Sequence, residues 1–200
     1  MKTLKTILAL LLLALLTISC SGDDDNNNNK VPVTYVAENP LDSYLATSGF
    51  NQKAVDVKNE GFYEFGFSFK PTVTGKITSV FAKMPDTNTA LRITLWDAST
   101  KTVIHSEKMF VSVANMAFEK TIVPIQVTKD KEYFLSVYSD DWISRTKTDG
   151  SSTTYPIVAG NIIITGYAYS LSSATEPVYP STKRYDYYAG DFSFLFKQTE

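Results

Sequence analysis

Several residue types are scarce in this chain of 200 residues, and each scarcity argues against a class of protein. With one histidine and one cysteine, the chain supports neither a zinc site nor a Ser-His-Asp triad. Its 19 basic and 21 acidic residues nearly cancel, so the concentrated basic patch that nucleic acid requires is not expected, and no nucleic-acid partner is predicted. The apolar run over residues 7–16 has ten residues, whereas a membrane-spanning helix needs roughly 20.

The single cysteine, Cys20, stands directly behind the small residue Ser19 and close after the apolar run 7–16. Two lysines precede that run, as in the core of a signal peptide. The pattern resembles a bacterial lipoprotein box, in which signal peptidase cleaves before the cysteine and acyl chains such as palmitate are attached to it. The resemblance implies a signal peptide over residues 1–19 and a membrane anchor at Cys20, where several acyl chains hold a protein firmly.

An acidic, asparagine-rich stretch follows the cysteine. Residues 21–30, SGDDDNNNNK, carry no apolar side chain, so the segment 20–32 is predicted to be a flexible tether. Its aspartates 23–25 resemble the export signal by which Bacteroidetes-type bacteria send lipoproteins to the outer face of the outer membrane. The resemblance implies an outer-membrane lipoprotein facing the cell exterior. The alternative is a solvated acidic linker on a lipoprotein that faces the periplasm.

The mature chain of 181 residues is the size of one domain and has a net charge of −4 before acylation. From Val33 onward apolar and polar residues alternate with a period of two, and no window shows helical spacing over three turns. The clearest predicted strands are 63–69, 76–84, 91–96, 103–110, 118–127 (broken by Pro124), 133–138, 162–169 and 192–196. About nine or ten short strands predict an all-β fold over residues 33–200, a two-sheet antiparallel sandwich of jelly-roll type.

Five short stretches, taken in this order along the chain, form a recognisable combination: EFGFSF at 64–69, GKIT at 75–78, LWD at 95–97, PIQVT at 124–128 and YFLSVY at 133–138. Together they resemble a bacterial domain of unknown function that recurs in secreted, multidomain and often carbohydrate-active proteins. The resemblance covers residues 60–196, and the Leu-Trp-Asp before a turn is its most specific element. Where that family often has a glycine after this turn, the chain has Ser99-Thr100-Lys101. The resemblance implies a jelly-roll-like module and supplies no catalytic residues.

Candidates for chemistry are few. The carboxylates Asp140 and Asp141 are the most conspicuous pair for acid-base work on a glycosidic bond, but neighbours on a strand point to opposite faces. A solvated strand end is therefore the preferred interpretation. Asp86 and Asn88 could offer oxygen ligands to a structural calcium ion, although a plain turn is favoured there. His105 is expected to be a partly exposed strand residue. We predict no enzyme activity and no required cofactor.

The aromatic residues are the most informative remaining feature. If Leu91, Ile93 and Leu95 face the core, Trp96 faces outward or lies under a loop. Seven of the twelve tyrosines fall within 34 residues: Tyr155, Tyr167, Tyr169, Tyr179, Tyr185, Tyr187 and Tyr188. Tyr185, Tyr187 and Tyr188 cannot all be buried together if they lie on one strand, because Tyr187 and Tyr188 must then face apart. At least one ring of the three is therefore expected to be exposed or under a loop.

A ligand-binding site is predicted around Trp142, which stands near Asp140, Asp141 and Arg145 in a loop predicted over residues 140–154. Flat amphipathic rings beside charged groups fit the apolar face and the hydroxyls of a sugar, and they fit a protein partner equally well. The predicted binding residues are Trp142, Asp140, Asp141, Arg145, Tyr185 and Tyr187. The expected function is non-catalytic glycan recognition at the cell surface. The alternatives are an adhesive or structural envelope protein that uses an aromatic patch as an interface, and rings that simply cover the sheet.

Overall fold

Antiparallel strands dominate the computed structural model, which describes residues 33–173 and 175–200. The predicted signal peptide, the lipid-attachment residue Cys20 and the tether 20–32 lie outside the described residues. The chain divides into a unit Met1–Thr34 and a compact unit Tyr35–Glu200, and the second contains all the described helix and strand residues. In the described part of the chain, no helix is both long enough and apolar enough to cross a membrane.

The described elements are one helix and thirteen strands. In chain order they are α1 (Leu41–Ser48), β1 (Lys53–Val57), β2 (Tyr63–Pro71), β3 (Gly75–Lys83), β4 (Asn88–Asp97), β5 (Thr102–Val111), β6 (Ala117–Val127), β7 (Tyr133–Ser139), β8 (Trp142–Thr146), β9 (Ile157–Ala159), β10 (Ile162–Leu171), β11 (Thr182–Arg184), β12 (Tyr187–Ala189) and β13 (Asp191–Gln198). The all-β expectation is confirmed, with more strands than the sequence indicated.

The strands form three antiparallel sheets. The largest has the order β11-β10-β2-β7-β4-β5, and β9 adds to it beside β10. The two smaller sheets have the orders β13-β3-β6 and β1-β8-β12. The large sheet packs on β13 through phenylalanine rings, with Phe69 and Phe194 centroids 4.6 Å apart and those of Phe65 and Phe192 6.0 Å apart. This face-to-face contact is the core of the predicted sandwich.

Period-two alternation explains why these rings meet. Six phenylalanines from β2 and β13 are at most 2 % exposed: Phe65, Phe67, Phe69, Phe192, Phe194 and Phe196. In both strands the rings occupy every second position, so all of them point to one face of their sheet. Burying each ring contributes roughly 1.5–3 kcal/mol, so this aromatic layer is a main source of the stability of the fold.

The sequence does not predict helix α1, because no window of the chain shows helical spacing over three turns. The helix has only eight residues, and its buried side chains are Tyr44, Leu45 and Ser48. It ends at Gly49, whose φ of +80° and N–H to the Ala46 carbonyl oxygen are typical of a glycine C-cap. Two turns are too short for a periodic signal, so tertiary packing of Tyr44 and Leu45 is the main support of the helix.

The predicted break at Pro124 is wrong, because β6 continues through it from Ala117 to Val127. β6 lies at the end of its sheet order, and the register with β3 shifts between Ile77 and Ser79, directly opposite the proline. Proline is tolerated at such an edge or bulge, where its missing N–H costs no ladder hydrogen bond.

Trp96 lies on the outer face of the large sheet, opposite Leu91, Ile93 and Leu95, which belong to the core. It is only 3 % exposed, and its ring meets the edge of Tyr179 at 5.5 Å between centroids. Since Tyr179 belongs to the segment between β10 and β11, the expectation that Trp96 lies outward or under a loop is confirmed.

A buried ion pair lies next to Trp96 on the same outer face. The Arg92 Nη2 donates to Glu64 Oε2 at 2.7 Å, and neither side chain is more than 10 % exposed. The Ser136 hydroxyl donates to Glu64 Oε1 at 2.6 Å and accepts a hydrogen bond from Trp96 Nε1 at 2.8 Å. The Arg92 guanidinium also donates to the carbonyl oxygen of Thr175. This network attaches the segment between β10 and β11 to the sheet.

Candidate functional site

A cleft lined almost entirely by aromatic rings lies between the large sheet and the small sheet β1-β8-β12. Its volume is about 160 Å³. Its lining, which we call the aromatic cleft, consists of Tyr63, Phe65, Trp142, Tyr167, Tyr169, Tyr187 and Ala189. Drug-sized ligands occupy pockets of roughly 300–1,000 Å³, so the aromatic cleft has room for about one ring of a larger ligand.

Strand register brings the two halves of the aromatic cleft together. In the small sheet Tyr187 pairs with Thr146, and alternation along β8 puts Trp142 on the same face as Thr146. In the large sheet Tyr169 of β10 pairs with Phe65 of β2, so these two side chains also share a face. The cleft is therefore built by four strands, and β2 is distant in sequence from the other three.

The rings meet mostly edge to face. Trp142 contacts Tyr63 and Phe65 at centroid distances of 5.5 and 5.8 Å, with interplanar angles of 82° and 62°. Tyr187 contacts Tyr167 at 5.5 Å and Tyr169 at 6.3 Å. Trp142 and Tyr187 are only partly buried, so part of each ring is open to a ligand, while neighbouring rings restrict their movement.

Polar groups border the rings. The Arg184 guanidinium lies 4.9 Å from the centroid of the Tyr187 ring and forms a bidentate ion pair with Asp186, at 2.8 and 2.6 Å. The Tyr167 hydroxyl is buried and has no hydrogen-bond partner of normal geometry in the part of the chain that the structure describes. Burial raises the pKa of Tyr167 well above its usual value, so this hydroxyl stays protonated.

Arg145 does not reach the aromatic cleft, although the sequence places it three residues from Trp142. It pairs in register with Tyr188 on the other face of the small sheet. There its guanidinium forms a two-bond ion pair with Asp191, through Nε to Oδ1 and Nη2 to Oδ2. This pair raises the pKa of Arg145 and gives it a structural partner.

Asp140 and Asp141 form the corner between β7 and β8, and neither is among the described residues that line the aromatic cleft. The Asp141 Oδ1 accepts a hydrogen bond from the Asn59 N–H at 2.8 Å. Partial burial is the main cause that raises the pKa of Asp141. The loop predicted over 140–154 is also corrected, because residues 142–146 form β8 and pair with β1 and β12.

The three tyrosines near the C-terminus occupy three environments. Tyr187 lines the aromatic cleft, while Tyr188 is fully buried against Tyr44 and Phe192 in the core. Tyr185 is 48 % exposed and lines a different depression on the outer face of the large sheet. The expectation that at least one of these rings is exposed is thus confirmed, and Tyr185 and Trp142 belong to separate sites.

The calcium candidate lies in a bend that leads into β4, whose first residue is Asn88. Asp86 Oδ1 accepts from the Thr87 N–H at 2.7 Å, its Oδ2 faces Lys58 Nζ at 3.3 Å, and Asn88 Oδ1 accepts from the Ala90 N–H at 2.9 Å. Within residues 33–173 and 175–200 no group of three or more metal-ligating side chains comes together. His105 is a half-buried strand residue 3.7 Å from Glu107, as expected.

The cleft residues that the sequence did not identify as site residues are Tyr63, Phe65, Tyr167, Tyr169 and Ala189. Tyr63 and Phe65 belong to a strand that was predicted correctly, and the two tyrosines were recognised only as part of the tyrosine-rich region. The missing information was the pairing of β2 with β10, which joins positions about 100 residues apart. Alternation within a strand predicts which face of the sheet its rings occupy. It does not predict which other strand lies beside them.

Alkaline titration provides a test of ring burial. Burial raises the pKa of Tyr155 and Tyr187 to about 12, whereas an unfolded tyrosine titrates near 10. Between these values the folded protein binds more protons than the unfolded chain. The stabilising contribution is therefore complete below about pH 10 and is lost as the pH rises through about 12.

We expect the urea midpoint to fall steeply across that pH range and tyrosinate absorbance to appear in at least two phases. The measurement is an ultraviolet titration combined with urea unfolding. A single titration of all twelve tyrosines near pH 10 in the folded protein would contradict the packing described for the aromatic residues.

No protein-family model matches the chain, and no curated protein matches its sequence.

Proposed function

We propose that this protein is a cell-surface lipoprotein whose β-sandwich binds a glycan in the aromatic cleft without catalysing a reaction. The observation that carries the proposal is the partly open pair of rings Trp142 and Tyr187, bordered by the Arg184–Asp186 ion pair. A sugar ring has apolar C–H faces that stack on aromatic rings, and hydroxyls at its rim that hydrogen-bond to charged groups. The rings line one sugar-sized volume, and the charged groups lie beside Tyr187 at its border.

The lipid anchor and the location are supported by the N-terminal sequence. The two lysines, the apolar run 7–16 and Cys20 match the order of a lipoprotein signal, and the aspartates 23–25 match an outer-face export signal. We propose that Cys20 is acylated in the outer membrane and that the domain faces the cell exterior. Metabolic labelling with a palmitate analogue tests this step, since the Cys20→Ser variant should lose the label.

The absence of catalysis is proposed from the lining of the aromatic cleft. Among the described residues that line it, none is a carboxylate, a histidine or a lysine. Hydrolysis of a glycosidic bond needs two carboxyl groups about 5–10 Å apart on either side of the bond. The nearby carboxylate Asp186 is held by Arg184 in a bidentate pair, which suits recognition of hydroxyls.

Replacing Trp142 by alanine tests the proposed site. We expect the affinity for a bound polysaccharide to fall about tenfold or more, because a stacked ring at the centre of a site carries about 1.4 kcal/mol or more. The measurement is calorimetric titration of the purified protein. The matched control is Phe110→Ala, which removes a 61 % exposed ring from β5 at the far end of the sheet order and should leave the affinity unchanged. Equal losses in both variants would refute the assignment.

A second candidate function is adhesion through a protein interface. Five apolar side chains on and after β5 are 41–61 % exposed: Val103, Ile104, Phe110, Val113 and Met116. β5 ends the sheet order of the large sheet, and exposed apolar edges are typical docking surfaces. Crosslinking on intact cells separates the two functions. An adhesive role predicts that Phe110→Glu removes a crosslinked partner, and glycan recognition alone predicts that it does not.

A further inference from the structure

A second depression lies on the outer face of the large sheet, on the opposite side of β10 from the aromatic cleft. Its volume is about 190 Å³. We call this depression the outer groove, and its lining includes Ser68, Glu132, Thr165, Gly166, Tyr179 and Lys183. Gly166 pairs with Ser68 in register, and Ser68 points away from the phenylalanine core of β2. These small residues leave the floor of the groove open.

The outer groove has one aromatic wall that neighbouring rings hold in place. Tyr179 meets Trp96 edge to face at 5.5 Å between centroids and lies 5.2 Å from Phe134. Trp96 and Phe134 are each 3 % exposed, whereas Tyr179 is only partly buried. Lys101 Nζ also lies over the Tyr179 ring, 5.6 Å from its centroid. Contacts with two buried rings hold Tyr179 in place, so its remaining open surface is pre-organised to stack on a ligand.

Two further residues of the lining, Glu132 and Lys183, carry opposite charges. Thr165 Oγ1 donates to Glu132 Oε1 at 2.6 Å and lies 2.8 Å from Ser68 Oγ. This chain of hydroxyls orients the carboxylate of Glu132, while Lys183 is exposed on β11. A carboxylate and an ammonium group in one groove leave little net charge, so the groove suits a neutral ligand with many hydroxyls better than an anion or a cation.

The strand β11 lies between the two sites. Arg184 pairs with Tyr167 and lies over the Tyr187 ring at the aromatic cleft, whereas Lys183 lines the outer groove. Adjacent strand residues point to opposite faces, so Lys183 and Arg184 each supply a polar side chain to a different site. A ligand chain that crosses this edge strand would contact both sites.

We propose that the outer groove is a second sugar-binding subsite that holds another unit of the same glycan chain. The inference rests on the proposed function of the aromatic cleft and adds a requirement for chain length. Tyr179 stacks on the second sugar ring, and Glu132 and Lys183 hydrogen-bond its hydroxyls. Two linked subsites act at high effective concentration, so affinity rises with the number of sugar units until both subsites are filled.

The two tryptophans of the chain report on the two sites separately. Trp142 lines the aromatic cleft, and Trp96 packs against Tyr179 of the outer groove. In the Trp142→Phe variant, Trp96 is the remaining tryptophan, and the phenylalanine keeps a ring in the cleft. The probes are short and long gluco-, xylo- and manno-oligosaccharides, titrated into this variant and into the unmodified protein.

We expect long oligosaccharides of one series to change the emission of Trp96, and Lys183→Ala to weaken their binding about fivefold while short ones bind as before. Lys183 is exposed, so its loss should not impair folding. Lys108→Ala, which removes an exposed lysine from β5, is the matched control and should have no effect.

Three results overturn the subsite. In the first, Trp96 emission in the Trp142→Phe variant does not change although the unmodified protein responds to the same oligosaccharide. In the second, Lys183→Ala weakens the binding of short and long oligosaccharides equally. In the third, Lys108→Ala lowers the affinity for long oligosaccharides as much as Lys183→Ala does. Each of these leaves glycan binding in the aromatic cleft intact. If neither tryptophan responds to any probe, the proposed function fails together with the subsite.

Discussion

Replacing Arg92 by alanine is expected to lower the free energy of unfolding by about 3–5 kcal/mol, because it leaves the Glu64 carboxylate buried without its charge partner. Glu64 is fully buried in β2, and burial raises its pKa despite hydrogen bonds from Ser136 and Arg92. The substitution also frees the carbonyl oxygen of Thr175, which Arg92 binds. Urea unfolding followed by circular dichroism measures the change.

The pH dependence of this loss identifies its cause. Without Arg92 the pKa of Glu64 rises further, and a protonated carboxyl group needs no counter-charge. The destabilisation should therefore be smaller at about pH 5 than at about pH 8. Removing both charges in Glu64→Leu/Arg92→Leu should recover much of the loss, since apolar residues often replace a buried pair at little cost.

The matched control is Lys108→Ala, because Lys108 pairs with Arg92 across β4 and β5 but is exposed. Its effect should stay within about 0.5 kcal/mol. A loss below about 1 kcal/mol in Arg92→Ala, or a loss independent of pH, would show that the ion pair does not have the role assigned to it.

Replacing Gly66 by alanine is the second change with a large expected effect, a loss of about 3 kcal/mol or more. A Cβ at this position would overlap the backbone carbonyl oxygen of Leu135 and stand 2.8 Å from the Cα of Ser136. Both atoms belong to β7, the hydrogen-bonded neighbour of β2. Because backbone atoms cannot rotate away as a side chain can, the two central strands would have to separate. Thermal and urea unfolding measure the loss.

Gly166→Ala provides a matched comparison, since Gly166 lies on β10, the strand that pairs with β2 on its other side. A Cβ there meets only the Ser68 hydroxyl, at 3.3 Å, which can move. We expect a loss of about 1 kcal/mol or less. Similar stabilities for the two variants would contradict the close approach of β2 and β7.

Sequence periodicity was sufficient for the long strands. Phe65, Phe67 and Phe69 alternate in β2, and the residues 91–95 alternate in β4, because one face of each strand packs on the core. The same logic placed Trp96 on the face opposite Leu95. In these strands the local pattern and the tertiary packing agree, so the sequence alone predicts both the element and its facing.

Sequence periodicity did not predict the short elements. β9, β11 and β12 have three residues each, which is too few for alternation to be distinguished from chance. Helix α1 has two turns, and β8 was interpreted as part of a loop because residues 140–154 are rich in Ser, Thr, Asp and Gly. These elements exist because neighbouring strands and core rings hold them in place, and that information is not local.

The candidate site was predicted in part. Trp142 and Tyr187 were identified from their residue types, and they line one cleft. Arg145 was predicted to share the site because it is close to Trp142 in sequence. Alternation along β8 puts the Arg145 side chain on the other face of the sheet, where it pairs with Asp191. Tyr63 and Tyr169 complete the cleft through strand pairing between distant segments, which no sequence window contains.

Affinity electrophoresis tests the central claim, glycan binding in the aromatic cleft, most directly. The purified protein and its Trp142→Ala variant migrate side by side through gels containing β-glucan, xylan, mannan or pectin, with and without calcium. We predict that one glycan class retards the unmodified protein, while the variant migrates as in a gel without polysaccharide. Equal retardation of both proteins, or no retardation in any gel, would contradict the claim.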